Sequence, residues 1–427
     1  MSALNVLVVG GGAREHALAW KLRQGSGLGR LFCAPGNAGT TAVAEAVPIA
    51  ANQVDALADW SAANDIGLVV VGPEEPLALG LADRLRTRGI PVLGPGAAGA
   101  RIESSKSWAK EIMRAAGVPT AAHATFSSAA EALEYVRHQC FPLVIKADGL
   151  AAGKGVVIAR SAEEARRAIV AALEERVFGE AGQTIVIEEY LEGEEMSLIA
   201  FVSDRVVVPL LPARDHKAVG DGDTGPNTGG MGAIAPARAA GHDDAQTLCR
   251  ALIEPVAAVL ADRGLPYRGV LYAGLMLTPH GPRVLEFNCR FGDPEAQVIL
   301  PLLEEDLVEL ALTTATGELA ARPLRFAQAV CCGVVLASRG YPGPYPTGLP
   351  IHGLDLVDPD ILVFHAGTRA DGATIRTAGG RVLTVVGRGS TPREARDRAY
   401  ANAARIIFEG VYYRRDIGWR EIQRAGE

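Results

Sequence analysis

Short apolar stretches alternate with helical stretches along the first hundred residues of this 427-residue chain. Strand-like apolar runs lie at residues 5–9, 31–34, 66–71 and 90–93, and the segments between them carry helical patterns. Alternation of this kind connects parallel strands by right-handed crossovers and places helices on both faces of the sheet. The N-terminal region therefore predicts an α/β fold with a doubly wound parallel sheet.

The rest of the chain predicts two further regions that mix helices and strands. Residues 104–116 and 161–175 are helical in pattern, and a glycine-rich stretch at residues 215–235 predicts a long loop. An apolar strand begins near residue 328, and a helix at 392–408 follows it in the tail. We therefore expect three domains, with limits at 1–102, 103–325 and 326–427.

The charge and composition of the chain exclude several classes of protein. Lys and Arg number 42 and Asp and Glu 49, so the net charge is −7 and no basic field attracts nucleic acid. No apolar run approaches the roughly 18 residues of a membrane span, and the N-terminus lacks the basic start of a signal peptide. The six cysteines include no C-x-x-C pair. We expect a cytoplasmic protein with reduced thiols that binds neither nucleic acid nor membrane.

The first of three glycine clusters joins the first predicted strand to the first helix. Gly10, Gly11 and Gly12 would expose backbone N–H groups at a helix N-terminus, which favours an anion such as phosphate. The dinucleotide fingerprint G-x-G-x-x-G fails, because Glu15 occupies its last position. The cluster therefore favours a phosphate site over an NAD site, and a tight structural turn is the alternative.

The second glycine cluster follows a lysine on an apolar strand. Lys146 points off one face of that strand, where an ammonium is costly to bury without an anionic partner. The small residues after it could bring backbone N–H groups and Lys154 to phosphates. The segment is not a Walker A loop, because its spacing is one residue short and Gly155 replaces the Ser or Thr. A hairpin turn with a solvent-directed lysine is the alternative.

The polar face of a later strand indicates a metal site. Glu286, Asn288 and Arg290 alternate with Leu285 and Phe287, so the three polar side chains share one face. A carboxylate and an amide oxygen are hard ligands that suit Mg²⁺, which takes its other ligands from water and phosphate. Arg290 adds a guanidinium for an oxyanion. A strand face that is merely solvated is the alternative.

Two further segments carry candidate residues. Residues 220–232, the third cluster, hold six glycines and form either a mobile linker or a mobile wall over a reaction centre. Asp215-His216-Lys217 lies just before them. Residues 188–195 end one strand and start another, so their backbone could pair with an adenine edge and a carboxylate with ribose hydroxyls. An acidic turn is the alternative for this last segment.

Together these segments resemble the phosphoribosylamine–glycine ligase family of the ATP-grasp superfamily. The most specific matches are Lys-Ala-Asp-Gly-Leu-Ala-Ala-Gly-Lys-Gly at residues 146–155 and Gly-Pro-Asn-Thr-Gly-Gly-Met-Gly at residues 225–232. Further matches lie at residues 12–18, 34–39, 72–74, 215–217, 286–295, 340–343 and 364–368. The resemblance spans nearly the whole chain. It implies a central ATP-grasp α+β domain with a mobile lid at about 120–190, followed by a small C-terminal α+β domain.

The resemblance also implies a reaction of purine biosynthesis. ATP, glycine and 5-phosphoribosylamine would give glycinamide ribonucleotide, ADP and phosphate. The glycine carboxylate would attack the γ-phosphate to form an acyl phosphate, and the amine would then displace phosphate. Catalysis of phosphoryl transfer is mostly positioning and charge neutralisation, which agrees with lysines, an arginine and Mg²⁺ or Mn²⁺ in place of a general-base dyad.

The matched motifs imply a role for each candidate residue, with Lys146, Asp215 and Arg290 as the catalytic ones. The residues expected at ATP are Lys106, Lys146, Gly149, Gly153, Lys154, Gly155, Glu188, Leu191 and Glu195, the last three at adenine and ribose. The residues expected at the metal are Glu286 and Asn288, and Arg290 is expected at the acyl phosphate. The residues expected near glycine are Asp215, Asn227, Gly229 and Gly230. The residues expected at the ribosylamine phosphate are Gly10, Gly12, Arg14, Glu15 and Asn37.

The chain departs from the family pattern at a few positions. It has Gly11 and Ala13 where the family has Ser and Gly, and Arg214 and Ala218 where the family has Gln and Arg. The strand at residues 271–277 also lacks the second acidic metal ligand of many ATP-grasp relatives. A ligase of the same superfamily with a different acid is the first alternative, ahead of a Rossmann-type oxidoreductase and a non-catalytic nucleotide-binding module. We expect a monomer.

Overall fold

A parallel sheet of five strands forms the N-terminal region of the structure, a computed structural model that describes residues 3–150, 155–238 and 245–426. The strands, in spatial order, are Glu45–Ala46, Leu28–Pro35, Leu4–Gly10, Ile66–Val71 and Val92–Leu93. The helices are Ala13–Leu22, Val54–Ala63, Glu74–Ala78, Leu81–Thr87 and Ala97–Ser104. The strand order reverses beside Leu4–Gly10, so the loops that follow Leu4–Gly10 and Ile66–Val71 open into one crevice. The doubly wound sheet predicted from the sequence is confirmed.

Two antiparallel sheets of four strands make up the central region. The larger sheet contains Val206–Pro209, Glu194–Ser203, Arg268–Thr278 and Gly281–Asn288 in spatial order. The smaller sheet contains His123–Phe126, Ile185–Glu189, Leu143–Ala147 and Val156–Ala159. The helices are Lys106–Ala115, Ala129–Val136, Ala162–Leu173, Ala245–Leu252, Glu254–Asp262, Glu295–Ile299 and Leu307–Thr316.

The smaller sheet has a hydrophobic core of its own. Ile145 and Ile187 of its strands pack with Ala132 and Ile169 of the helices Ala129–Val136 and Ala162–Leu173. The larger sheet instead shares two hydrophobic clusters with the N-terminal sheet: Leu271 and Val69 belong to one, and Phe201 and Val8 belong to the other. Because apolar burial is the main stabilising contribution, the larger sheet and the N-terminal sheet form one packed unit beside the smaller sheet.

The tail completes an antiparallel sheet that begins in the central region. Its strands, in spatial order, are Arg214–Asp215, Gly232–Ala235, Val330–Ala337, Arg381–Gly389 and Leu362–His365. The helices are Pro392–Ala403 and Trp419–Ala425, and the first ends earlier than the predicted 392–408. A separate pair is formed by Thr368–Asp371 and Thr374–Thr377. Short 3₁₀ turns lie at Thr40–Ala42, Gly179–Gly182, Asp221–Asp223, Leu300–Leu302 and Leu354–Leu356.

The prediction of a continuous loop over residues 215–235 is wrong. A hairpin of Ala218–Gly220 and Thr224–Asn227 lies inside it, and the tail anchors the tip of that hairpin. Arg414, whose side chain is fully buried, donates to Asp223 at 2.9 Å and to the carbonyl of Ala218 at 3.0 Å. The pairing depends on partners almost two hundred residues away, so a glycine-rich local pattern could not indicate it. Among the described residues, no helix is long and apolar enough to cross a membrane.

Candidate active site

A cavity of about 530 Å³ opens where the N-terminal sheet, both central sheets and the tail meet. Its wall contains eleven of the residues singled out from the sequence. They are Arg14, Lys106, Lys146, Gly149, Gly155, Glu188, Asp215, Gly229, Glu286, Asn288 and Arg290. Segments distant in the sequence therefore converge on one space, and both of the most specific motifs contribute to it.

The other candidate residues lie outside the wall of this cavity. They are Gly10, Gly12, Glu15, Asn37, Leu191, Glu195, Asn227 and Gly230. Gly153 and Lys154 belong to residues 151–154, which lie outside the described part of the chain. Sequence reasoning gave no role to several charged and aromatic residues of the wall: Glu74, Glu103, Lys110, Lys217, Tyr272, Asp293, Glu295, Tyr341 and Arg381. Most of them lie in or beside matched motifs, whose polar members were the available signal.

Lysines form one end of the cavity. Lys146 lies 3.0 Å from one oxygen of the buried Glu188 carboxylate, and Lys110 lies 3.1 Å from the other. The anionic partner that the buried Lys146 requires is therefore Glu188. Burial lowers the pKa of Lys110 to about 8, although Glu188 opposes that shift. Two ammonium groups on one carboxylate leave an excess of positive charge for a ligand phosphate.

Lys106 is held at the same end by the start of a helix. Ser105 caps the helix Lys106–Ala115, and Asp148 accepts hydrogen bonds from the Ser107 N–H at 2.8 Å and from the Ser107 hydroxyl. Lys106 Nζ donates to the carbonyl of Gly149 at 3.1 Å. Asp148 therefore ties the strand Leu143–Ala147 to a helix N-terminus and sets the position of the glycine loop.

We expect Asp148→Ala to weaken ATP binding about 5- to 30-fold, because a lost cap and a lost charge-assisted hydrogen bond are worth roughly 1–2 kcal/mol. The Lys106 ammonium and the loop backbone would no longer be held together. ATP affinity measured by calorimetry checks this expectation. Ser128→Ala, which removes the cap of the distant helix Ala129–Val136, is the matched control and should leave ATP affinity unchanged. Equal ATP affinities for wild type and Asp148→Ala would contradict it.

The metal-site prediction falls on the edge strand Gly281–Asn288. Glu286, Asn288 and Arg290 line the cavity, as the alternation predicted, but Leu285 and Phe287 line it as well, and the strand register shifts between Val284 and Glu286. Burial alone would raise the pKa of Glu286. The positive charges of Lys217, Lys146 and Lys106 lower that pKa below its usual value, so the carboxylate is ionised.

The donor set fits a hard cation that completes its shell with phosphate and water. Among the residues described, no group of three His, Cys, Asp or Glu side chains could hold a metal by itself. Glu286 and Asn288 instead offer a carboxylate and an amide oxygen on the same strand face, toward the cavity. Mg²⁺ is commonly bound in this way, by one or two carboxylates or amides together with substrate phosphates.

Arg290 lies between two carboxylates that sequence reasoning missed. Its guanidinium is 3.0 Å from Glu74 and 2.8 Å from Glu103, which come from the N-terminal region. Burial would raise the pKa of Glu74, but Arg290 and then Arg14 lower it to about 2. These ion pairs connect the segment after the strand Gly281–Asn288 to the N-terminal region. They also fix the position in which the Arg290 guanidinium can bind an oxyanion.

An acidic chamber lies beside Lys217. Lys217 is 3.0 Å from Glu195 and 3.9 Å from Asp215, and the Tyr272 hydroxyl donates to Glu295 at 2.7 Å. Burial raises the pKa of Asp215, and Glu295 and Glu195 add to the rise against the attraction of Lys217. Carboxylates outnumber cations here, so the chamber suits a ligand with an ammonium group.

The first glycine cluster supports the cavity from behind. The Glu15 carboxylate accepts the Gly12 N–H at 2.5 Å and pairs with Arg14 at 2.6 Å. Gly10 has φ of +124°, and a Cβ there would meet Glu15 at 2.6 Å, so only glycine fits. Asn37 donates to the carbonyls of Gly11 at 2.9 Å and His365 at 2.6 Å. The pair with Glu15 fixes the side chain of Arg14, the member of this segment that lines the cavity.

Three family models match the chain in succession. "Phosphoribosylglycinamide synthetase, N domain" matches residues 4–103, the "ATP-grasp (A) domain" matches residues 104–296, and the "C domain" matches residues 331–420. Phosphoribosylamine–glycine ligase of a Nostoc species is 49% identical over 98% of this chain and 99% of its own length. The enzyme of the same name from Escherichia coli O157:H7 is 46% identical over 99% of each chain.

The fold of this chain also matches solved structures. The crystal structure of phosphoribosylamine–glycine ligase from Thermotoga maritima has a TM-score of 0.84 at 35% identity and covers 97% of this chain and 100% of its own. A biotin carboxylase domain of Hydrogenobacter thermophilus has a TM-score of 0.73 at 19% identity, over 96% of this chain and 92% of its own, and supports the fold alone. The chain belongs to the phosphoribosylamine–glycine ligase family, with its ATP-grasp fold.

Proposed function

We propose how the residues of the cavity divide the work of ligating glycine to phosphoribosylamine with ATP, the activity that membership of this family carries. One observation supports the proposal above all. Lysines, a carboxylate–amide pair and carboxylates of an acidic chamber line a single cavity, which matches the needs of phosphates, a cation and an amino acid. The reaction consumes ATP, glycine and 5-phosphoribosylamine and releases glycinamide ribonucleotide, ADP and phosphate.

ATP lies at the lysine end in this proposal. Lys106 and Lys146 contact its phosphates beneath the loop 149–155, including Gly149, Gly153, Lys154 and Gly155. The strand end at residues 188–191 presents its backbone to adenine through Glu188 and Leu191, while the Glu188 side chain holds Lys146. Glu195 accepts the ribose hydroxyls, and its contact with Lys217 gives it a fixed position.

Glu286 and Asn288 would hold the divalent cation, Mg²⁺ or Mn²⁺, together with the ATP phosphates. When bound, this cation supplies charge neutralisation for the transferring phosphoryl group. Lys106 and Lys146 share that task from the other side of the phosphates. Each of these groups is fixed by strand, helix cap or ion pair before ATP arrives, so little reorganisation is needed during the reaction.

Glycine lies in the acidic chamber, with its ammonium between Asp215 and Glu295 and its carboxylate toward the γ-phosphate. Asn227, Gly229 and Gly230 belong to the loop that closes this side. A glycine carboxylate oxygen attacks the γ-phosphorus, and the bond from phosphorus to the ADP oxygen breaks, which gives glycyl phosphate. Arg290 then steadies the acyl phosphate from the position that Glu74 and Glu103 fix.

The amine of 5-phosphoribosylamine enters from the N-terminal crevice. It attacks the acyl carbon, the carbon–oxygen bond to phosphate breaks, and the nitrogen loses a proton to give the amide. Gly10, Gly12, Glu15 and Asn37 position the segment that receives the ribosylamine phosphate, and Arg14 reaches it. This crevice lies where a doubly wound sheet binds its ligands.

An assay of ADP release with each substrate omitted in turn tests the proposal. We expect ADP release to require glycine, because an acyl phosphate cannot form without its carboxylate, and sustained turnover to require phosphoribosylamine. Alanine and aspartate in place of glycine are the controls for a ligase with a different acid. ADP release without glycine, or equal rates with another acid, would contradict the proposal. Binding of NAD(P)H would instead favour the oxidoreductase.

We also propose domain limits at residues 102 and 325, a lid at about 120–190, and a cytoplasmic monomer. The separate core of the smaller sheet supports the lid, because few apolar contacts oppose its movement as a unit. None of the six cysteines, all of which belong to the described residues, forms a disulfide, which supports a reducing compartment. Sedimentation of the purified chain tests the monomer.

A further inference from the structure

Side chains of the tail hold both backbone polar groups of one residue in the cavity wall. The Gly229 N–H donates to the Tyr341 hydroxyl at 2.9 Å, and Arg381 Nη1 donates to the Gly229 carbonyl at 2.6 Å. All three residues line the cavity. Arg381 begins a strand of the tail sheet, and Tyr341 lies in the turn that follows the neighbouring strand Val330–Ala337.

Arg381 is itself held by Asp293, which lies five residues after the end of the strand Gly281–Asn288. Nη1 also donates to the carbonyl of Asp293 at 2.7 Å, and Nη2 pairs with the Asp293 carboxylate at 3.0 Å. Asp293 accepts a further hydrogen bond from Gln297 at 2.6 Å. One guanidinium therefore connects the Gly229 backbone to the polypeptide a few residues beyond Asn288, and the fork geometry of arginine makes this possible.

The loop fits between these holders with no room for side chains. A Cβ on Gly229 would lie 3.0 Å from the Arg381 guanidinium carbon. Gly230 has φ of +108°, and a Cβ there would lie 2.4 Å from Pro294. Two adjacent glycines can adopt many backbone conformations, so contacts with other residues are needed to keep Gly229 and Gly230 in a single conformation.

The tail also contacts the hairpin of Ala218–Gly220 and Thr224–Asn227, which lies just before Gly229, through a second and separate set of residues. The Tyr412 hydroxyl donates to the carbonyl of Val219 at 2.8 Å, and Arg414 pairs with Asp223. None of these four residues lines the cavity. The contacts of Tyr412 and Arg414 stabilise the hairpin itself. The contacts of Tyr341 and Arg381 at Gly229 instead determine the shape of the cavity wall.

We propose that Tyr341 and Arg381 are positioning residues for the glycine substrate: they hold residues 228–230 in the one conformation that completes the glycine site. The inference rests on the proposed function, in which this loop closes the chamber of Asp215. Through these two residues the tail sets the affinity for glycine. Because the loop is already ordered before glycine binds, binding does not cost the conformational entropy of ordering it.

Tyr341→Phe tests the inference, with Tyr412→Phe as its matched control. Each substitution deletes one hydroxyl that bonds a backbone group: Tyr412 bonds Val219 inside the hairpin, and Tyr341 bonds Gly229 two residues after it, but only Tyr341 lines the cavity. We expect Tyr341→Phe to raise KM for glycine about 3- to 10-fold, the effect of one hydrogen bond between neutral groups. KM for ATP should stay within about twofold of wild type, and Tyr412→Phe should leave both KM values unchanged.

Three results would overturn the inference: an unchanged KM for glycine in Tyr341→Phe, a KM for ATP that rises as much as that for glycine, or an equal rise in Tyr412→Phe. Arg381→Lys is the second variant, since lysine keeps the charge beside Asp293 but lacks the fork. It should raise KM for glycine further while its melting temperature stays near that of wild type. A wild type whose turnover does not depend on glycine would refute the proposed function instead.

Discussion

Glu286→Gln is expected to lower kcat/KM for ATP by about 10³-fold, because it removes the only carboxylate in the proposed metal pair. A bound cation contributes several kcal/mol to phosphoryl transfer, and each 1.36 kcal/mol is a factor of ten. The carboxylate faces the cavity among Lys106, Lys146 and Lys217, which keep it ionised and ready for a cation. Rates measured over a range of Mg²⁺ concentrations check this expectation, and excess Mg²⁺ should restore part of the activity.

Asn288→Asp is the matched control for that variant. It keeps an oxygen ligand at the second position and adds a charge, so we expect a smaller loss of activity and a shift in the Mg²⁺ concentration that gives half-maximal rate. Ordinary turnover of Glu286→Gln at millimolar Mg²⁺ would contradict the metal assignment. A melting curve of each variant separates lost cation binding from lost folding.

The sequence predicted the parts of the site that local patterns determine. Alternation along the strand Gly281–Asn288 predicted Glu286 and Asn288 on one face, and both line the cavity. Phe287 also lines it, and a register shift just before Glu286 is a feature that simple alternation does not contain. The requirement of Lys146 for an anion was likewise predicted from its apolar surroundings, and Glu188 supplies it. Neither inference needed to know which other elements pack nearby.

The partners themselves could not be predicted, because tertiary pairing selects them. Glu188 meets Lys146 only because Leu143–Ala147 pairs antiparallel with Ile185–Glu189, in a register that no local pattern contains. Tyr341 lies in the matched segment 340–343, but nothing in that segment indicated its partner, and Arg381 gave no signal, since an arginine that starts a strand is an ordinary surface feature. Their function depends on where the Gly229 backbone lies after the chain has folded.

Lys146→Met is expected to lower kcat by about 10²- to 10³-fold, the usual cost of removing one positioned donor from a charged transition state. The variant should still fold. Methionine has a similar length, and Lys110 remains on Glu188, so the buried carboxylate keeps a cation at 3.1 Å. Single-turnover rates of ADP formation, together with ATP affinity from calorimetry, separate the effect on the chemical step from the effect on binding.

Lys110→Met is the matched control, because it removes the other ammonium from the same carboxylate and leaves Lys146 in place. If Lys146 contacts the phosphates, the two variants should lose similar stability while kcat falls at least tenfold further in Lys146→Met. Equal losses of activity would mean that Lys146 acts only by holding Glu188, and the phosphate role would be wrong. The comparison is decisive because the shared carboxylate makes the structural cost common to both variants, which leaves contact with ATP as the difference between them.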